Sequence, residues 1–416
     1  MMQKPNVIVA HSGVQHSPQA ALAFQEYGML YRYFTSIWYK PNHFPYILIN
    51  QLPGKLRNLL LRELKKKYNK EVNPELVSQY PYYELISFVL RRVYKNPFLN
   101  QYITHWVNRN FDKWITKKIQ KMDLDVFIGY EMACLESFKM CKLKGVKCIL
   151  DLAAPHWTLQ KKLYEIEEGK NNPIISISKS LLKEVNSIKT AELNLADLIL
   201  TPSQYARDSL VEANIDENKI RLIPYGINIE KFTLKPIYKK EKNLNLLYVG
   251  PINPAKGLKY LLEAFSQLSL GDSELIIIGT PLGAEQIMKD YKDCFKHVSY
   301  THHDELTAYY QNADVFVFPS IVDSFAMVVL EAMACGTPVI ISENTGAKDA
   351  ARNGIDGFIV PVGDVNAIKE KILYFYNNRN KIEEMGRNAR TQAEKYTWEK
   401  YRKSIRDVVL EMFGRQ

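Results

Sequence analysis

Short apolar runs bounded by Gly, Pro and polar clusters recur along this chain, each the length of one buried strand. In the first half they fall at 6–10, about 30–34, 125–129, 147–152, 197–201 and 220–224. In the second half they fall at 244–250, 274–279, 297–300, 315–318, 338–342 and 357–360. The segments between them carry apolar residues at helical spacing. Strands alternating with helices predict an α/β fold with two Rossmann-like, doubly wound parallel-sheet domains. The boundaries expected are 1–233 for the first domain, 234–243 for a polar, Lys-rich linker, 244–395 for the second domain and 396–416 for a terminal helix. Residues 40–122 are expected to form a largely helical insertion in the first domain. Ligands of such sheets bind at the carboxyl ends of strands, so two facing domains would share a cleft lined by strand-end loops.

The most informative stretch is 314–341, DVFVFPSIVDSFAMVVLEAMACGTPVII. A strand ends at Pro319-Ser320, a helix is expected from about Phe325 to Gly336, and a second strand follows Pro338. Asp323 precedes the helix, and Glu331 lies eight residues on among Val328, Val329, Leu330, Ala332 and Met333. A carboxylate in so apolar a setting needs a partner or a function. The segment 319–340 resembles the donor-site signature of the retaining nucleotide-sugar glycosyltransferases of family 4, group 1. That signature reads Pro-Ser-x-x-Glu-x-Phe-Gly-x-x-x-x-Glu-Ala-x-Ala-x-Gly-x-Pro-Val. Four further segments resemble the same family in the same order: IPYGINIEKF at 223–232, YVGPINPAKG at 248–257, NGIDGFIVPVGD at 353–364 and YTWEKYRKSI at 396–405.

The resemblance implies the GT-B architecture, two Rossmann-like domains facing across a cleft, with the last helix (about 398–413) returning to the first domain. It implies a nucleotide-diphosphate sugar as donor substrate, no further cofactor and no bound metal. Lys256 would place a cation on the departing phosphate, with Gly250 allowing close backbone approach. Ser324 and the amides of Phe325, Ala326 and Met327 would bind the diphosphate at the helix N-terminus. Asp323 would lie near the donor sugar, and Glu331 would hydrogen-bond the ribose. His156, following the strand that ends at Leu152, would contact the donor sugar. Gly13 in the loop 11–17 would touch phosphate or acceptor, and Asp151 would lie near the cleft. Three positions depart from the family pattern: Pro251 replaces an arginine, Asp323 a glutamate and Ala326 a glycine. They put the usual donor geometry in question.

Composition adds a second theme. The chain has 416 residues, 46% of them hydrophobic, which suits a two-domain globular protein. Nothing in residues 1–5 reads as a secretory leader, and no apolar run approaches a membrane span, so neither is expected. Cys134, Cys141 and Cys148 recur every seventh residue without a histidine cluster, and are expected to be buried free thiols. The net charge of +10 belongs to the first half: residues 1–231 hold 32 Lys and Arg against 22 Asp and Glu, and residues 232–416 hold 23 of each. The segment 55–70 reads as an amphipathic helix, with Leu56, Leu59, Leu60, Leu64 and Tyr68 repeating at helical spacing and Arg57, Arg62, Lys65, Lys66 and Lys67 mostly outside that stripe. Residues 85–122 mix aromatics with cations. Such helices suit an anionic bilayer surface. No nucleic-acid recognition motif accompanies the charge, so nucleic acid is not expected as a partner.

The expected function is retaining transfer of a sugar from a nucleotide diphosphate to a glycan or lipid-linked acceptor, in cell-surface polysaccharide or glycolipid synthesis. The expected location is cytoplasmic, peripheral on the inner face of the membrane. Two alternatives share the fold: a catalytically silent protein that binds nucleotide sugar or pairs with an active partner, and a nucleotide-sugar epimerase.

Overall fold

Apolar runs buried on both faces, joined by helical crossovers, assemble here into two parallel sheets. The computed structural model describes residues 4–41, 43–65, 67–94, 97–169, 179–238, 243–271, 273–301 and 303–414. The first sheet holds β1 (Val7–His11), β2 (Leu30–Thr35), β3 (Val77–Gln79), β4 (Val126–Tyr130), β5 (Lys147–Asp151), β6 (Leu198–Thr201) and β7 (Ile220–Leu222), in the order β3-β2-β1-β4-β5-β6-β7. The second holds β8 (Asn245–Val249), β9 (Glu274–Ile278), β10 (Lys296–Val298), β11 (Val315–Phe318), β12 (Val339–Ser342) and β13 (Gly357–Val360), in the order β10-β9-β8-β11-β12-β13. Every pairing is parallel; Phe316, for example, lies between Leu247 and Val339. The doubly wound α/β reading therefore holds in both halves.

Both sheets reverse their winding at one point, between β1 and β4 and between β8 and β11. The loops leaving neighbouring strands at such a point diverge and open a crevice. Helices are seated by side-chain caps where the sequence supplies them: Ser203 accepts from the Ala206 amide, Asp364 from Ala367 and Thr397 from Lys400.

The insertion is less purely helical than expected. Besides α2 (Gly54–Lys65), α3 (Tyr82–Val93) and α4 (Pro97–Ile119), it contributes edge strand β3, which pairs with β2. Three residues carry too little periodicity to be read as a strand; the open edge of β2 selects them. Leu60, Leu61 and Leu64 of α2 pack inward with Ile37, Tyr39, Tyr46 and Ile49. The side chains of Lys55, Leu56, Leu59, Arg62 and Lys66 lie outside the described residues, as do residues 239–242 of the expected linker. The five cysteines are free thiols, four of them buried.

The C-terminal helix, Trp398–Glu411, packs on the first helix of the chain, α1 (Ser17–Gln25). Arg402 donates to Gln19 at 2.8 Å and pairs with Glu26 at 2.9 Å. Within the second domain, Gly257 has φ of +68°, and a Cβ built there would stand 1.9 Å from the Pro319 carbonyl oxygen. Gly257→Ala is therefore expected to cost about 2 kcal/mol or more, read as a lower midpoint in chemical denaturation. An unchanged midpoint would show that the two loops separate without penalty.

Candidate active site

The close approach at Gly257 brings together the loops that leave β8 and β11. Ile321 donates its amide to the Ala255 carbonyl at 2.9 Å, and Ser320 Oγ donates to the same oxygen at 3.1 Å. That clamp sets Lys256 Nζ 2.5 Å from Asp323 Oδ2. The other oxygen of Asp323 accepts from the amides of Phe325, at 3.1 Å, and Ala326, at 2.8 Å. Two of the amides expected to be open for a diphosphate are thus taken by Asp323. The helix also starts later than expected, running from Met327 to Ala334, because Ala326 has φ of +57°. A left-handed alanine costs about 1–2 kcal/mol relative to the family's glycine.

Glu331 sits on the inner side of that helix. Its carboxylate is buried, accepts from the Tyr310 hydroxyl at 2.8 Å, and is pushed up to about 7 by burial. It is not on a solvent stripe. With Gly250, Pro251, Thr280 and Val328 it lines a cavity of about 600 Å³ at the carboxyl ends of β8 and β9. Tyr310 gave no signal in the sequence; only the packing of its helix against Met327–Ala334 places the hydroxyl there.

The first domain faces this loop directly. Ser324 Oγ donates to the Ala153 carbonyl, and Ser203 Oγ donates to the Ser324 carbonyl, both at 2.5 Å. Beyond them lies a second cavity, of about 350 Å³, at the point where β1 and β4 diverge. His11, Gly13, Tyr130 and Asp151 line it from the sheet, and Glu84, Arg91 and Asn108 from the insertion. The Gly13 amide donates to His11 Nδ1 at 2.6 Å, and burial lowers the His11 pKa to about 4, helped by neighbouring His16. His16 Nε2 lies 2.7 Å from Asp151 Oδ2, and the Tyr401 hydroxyl of the C-terminal helix approaches the same oxygen at 3.4 Å. Behind the cavity, buried Glu192 accepts from the amides of Met132 and Cys134 and so fixes the turn after β4.

His156 is buried at the start of the helix Trp157–Gly169. Its Nδ1 lies 2.7 Å from Thr158 Oγ1, and its pKa is lowered to about 4 by burial and by Lys189. The imidazole is neutral at pH 7. It lines neither cavity, although Ala153, three residues earlier, touches Ser324. The structure therefore brings Lys256, Asp323, Ser324, Phe325 and Ala326 into one cluster, places Gly250 and Glu331 on the adjoining cavity, and leaves His156 and Gly13 on the first-domain side. Among the described residues, no group of three or more His, Cys, Asp or Glu side chains is gathered as metal ligands.

Residues 230–392 match the family Glycosyl transferases group 1. That match spans most of the second domain. The capsular polysaccharide biosynthesis glycosyltransferase CapM of Staphylococcus aureus is 34% identical to this chain over 220 residues, covering 47% of this chain and 56% of CapM. The amylovoran biosynthesis glycosyltransferase AmsK of Erwinia amylovora is 30% identical over 190 residues, 42% of this chain and 47% of AmsK. The chain thus spans about half the length of these curated relatives. Among solved structures, a sucrose-phosphate synthase from Thermosynechococcus elongatus superposes with a TM-score of 0.68 at 18% identity, covering 99% of this chain and 100% of that one. The Anabaena protein HepE in complex with UDP gives 0.64 at 14% identity, covering 98% and 100%. These superpositions place the whole chain in the GT-B architecture.

The raised pKa of Glu331 has a measurable consequence. A carboxyl with a folded pKa above its unfolded value of 4.5 binds its proton more tightly in the native state. Its contribution to stability is full below that value and is lost as pH rises through about 7. Glu331→Gln lacks this loss, so its stability relative to the wild type should rise by up to ~3 kcal/mol between about pH 5 and pH 8. Urea denaturation at both pH values checks this; parallel pH profiles would mean that Glu331 titrates as an ordinary carboxyl.

Proposed function

We propose that this chain is a retaining glycosyltransferase that moves a sugar from a nucleotide diphosphate to a glycan or lipid-linked acceptor. The observation that carries the reading is the juxtaposition of Lys256 and the Met327–Ala334 helix N-terminus with the Glu331 cavity, opposite the polar first-domain cavity. The nucleoside would occupy the Glu331 cavity, with the carboxylate on the ribose. The diphosphate would lie at the Lys256 cluster and exchange its charge for that of Asp323. A donor-site arginine is absent at Pro251, which leaves Lys256 as the principal cation of that loop.

In the proposed reaction, the bond between the anomeric carbon and the diphosphate oxygen breaks, and its electron pair leaves with the phosphate. Lys256 and the helix amides stabilise that charge without a divalent ion. The acceptor oxygen attacks on the same face and passes its proton to the departing phosphate oxygen. His156, neutral and held by Thr158, would contact the sugar or brace the Ala153 loop against Ser324. The names of the polysaccharide-biosynthesis relatives favour a cell-surface glycan as product. The cations of the first domain favour work at an anionic membrane surface, peripheral on its inner face. Among the described residues, no helix is long and apolar enough to cross a membrane.

Lys256→Ala should lower turnover by ~10²-fold or more, by analogy with loss of an oxyanion donor, while the fold persists. Transfer at the wild-type rate would remove Lys256 from the site. His156→Ala should retain nucleotide diphosphate affinity and lose most transfer activity; early melting of the variant would instead make the histidine a core residue. Nucleotide binding without transfer to any acceptor would favour the catalytically silent alternative.

A further inference from the structure

Helix α3 carries two unrelated faces. Tyr82, Ile86, Val89 and Val93 are 47%, 48%, 58% and 65% exposed, although all four are large and apolar. At 100° per residue they fall within about 60° of one another, a continuous stripe along the helix. Half a turn away, Glu84 and Arg91 line the first-domain cavity with His11, Tyr130 and Asp151. Between the faces, Leu85 packs against the cluster of Ile37, Tyr39, Tyr46, Ile49 and Leu64, and Ser87 is buried. The stripe is therefore not the core-facing side of the helix. A contiguous exposed apolar patch of this kind marks an interaction surface.

Charge identifies the occupant. Residues 40–122 hold 16 Lys and Arg against five Asp and Glu, a balance of +11 that exceeds the net charge of the whole chain. The one carboxylate of α3, Glu84, is paired with Lys67 at 2.7 Å. Arg92 lies over the Phe88 ring at 4.3 Å, beside the stripe. A second copy of this chain would bring the same positive segment against itself, whereas an anionic lipid surface complements it. The leucines of α2 that pack inward cannot serve this purpose. Phe44, Ile47 and Leu48, exposed on the neighbouring turn, add apolar surface to the same insertion.

We propose that α3 is an interfacial helix whose Tyr82, Ile86, Val89 and Val93 stripe seats in the surface of an anionic bilayer. Its opposite face then delivers a membrane-anchored acceptor into the first-domain cavity, with Arg91 available to an anionic acceptor group. Docking stands apart from sugar transfer; the delivery step rests on the proposed glycosyltransferase reading.

The test uses the full chain without nucleotide sugar. Co-sedimentation is measured with vesicles of phosphatidylcholine alone and with an equal part of phosphatidylglycerol added. The wild type should bind the anionic vesicles and lose binding as salt rises above ~0.1 M. The triple change Ile86→Ser, Val89→Ser and Val93→Ser should weaken that binding at least tenfold while the thermal midpoint stays unchanged, since these side chains are exposed. Emission of a Val89→Trp variant should shift to the blue on anionic vesicles, reporting insertion. Equal vesicle binding by the triple variant, or no blue shift, would overturn the proposal. A wild-type dimer in sedimentation that the triple variant abolishes would also overturn it and assign the stripe to a second copy. Membrane docking with no transfer to any acceptor would leave the helix assignment intact and sink only the glycosyltransferase reading.

Discussion

The Lys256 cluster of the second domain depends on one close backbone approach, Gly257 against the Pro319 carbonyl. A glycine with positive φ lets the loop after β8 lie on the loop after β11 at the reversal of the second sheet. Every polar contact of the cluster follows from that approach: the Ala255 carbonyl receives Ile321 and Ser320, and Lys256 reaches Asp323. Asp323 then satisfies two amides and one ammonium at once. The carboxylate lies at a helix start, where partial positive charge and backbone amides favour an anion.

The two domains meet through polar groups and through the ring contact of Tyr225 with Phe325 at 5.1 Å. Ser324 both donates to Ala153 and accepts from Ser203, so a single residue of the signature loop is held by two segments of the first domain. The C-terminal helix adds a second tie by setting Tyr401 against Asp151 and Arg402 against Gln19 and Glu26. These contacts reach the floor of the first-domain cavity. Movement between the domains would therefore be felt at Asp151 and His16 as well as at Ser324.

The uneven charge and the uneven packing fall in one place. Residues 40–122 carry the positive balance, and α3 within them carries the exposed apolar stripe. A helix that backs onto a polar cavity and shows an apolar face outward is costly for a protein that meets only water, because exposed apolar area is unfavourable. A lipid surface removes that cost.

Much of the fold was legible in the sequence because buried parallel strands read as apolar runs with Gly and Pro at their ends. The strands of the second half fall within one or two residues of their expected bounds, and Glu331 stood out because its neighbours are all apolar. Strand β3 was not legible: three half-buried residues have no period of their own and become a strand only beside β2. The state of the Phe325 and Ala326 amides was not legible either, since a shorter acid at 323 can turn back on its own loop only in three dimensions. The partnership of Tyr310 with Glu331, and of His16 and Tyr401 with Asp151, joins residues far apart in the chain. The sequence by itself determined the two sheets, the glycines and carboxylates of the signature, and the positive first half, because these rest on local pattern and composition. Only the tertiary structure decided which leucines turn inward on α2 and which residues of α3 stay outside, because burial depends on what packs against each face.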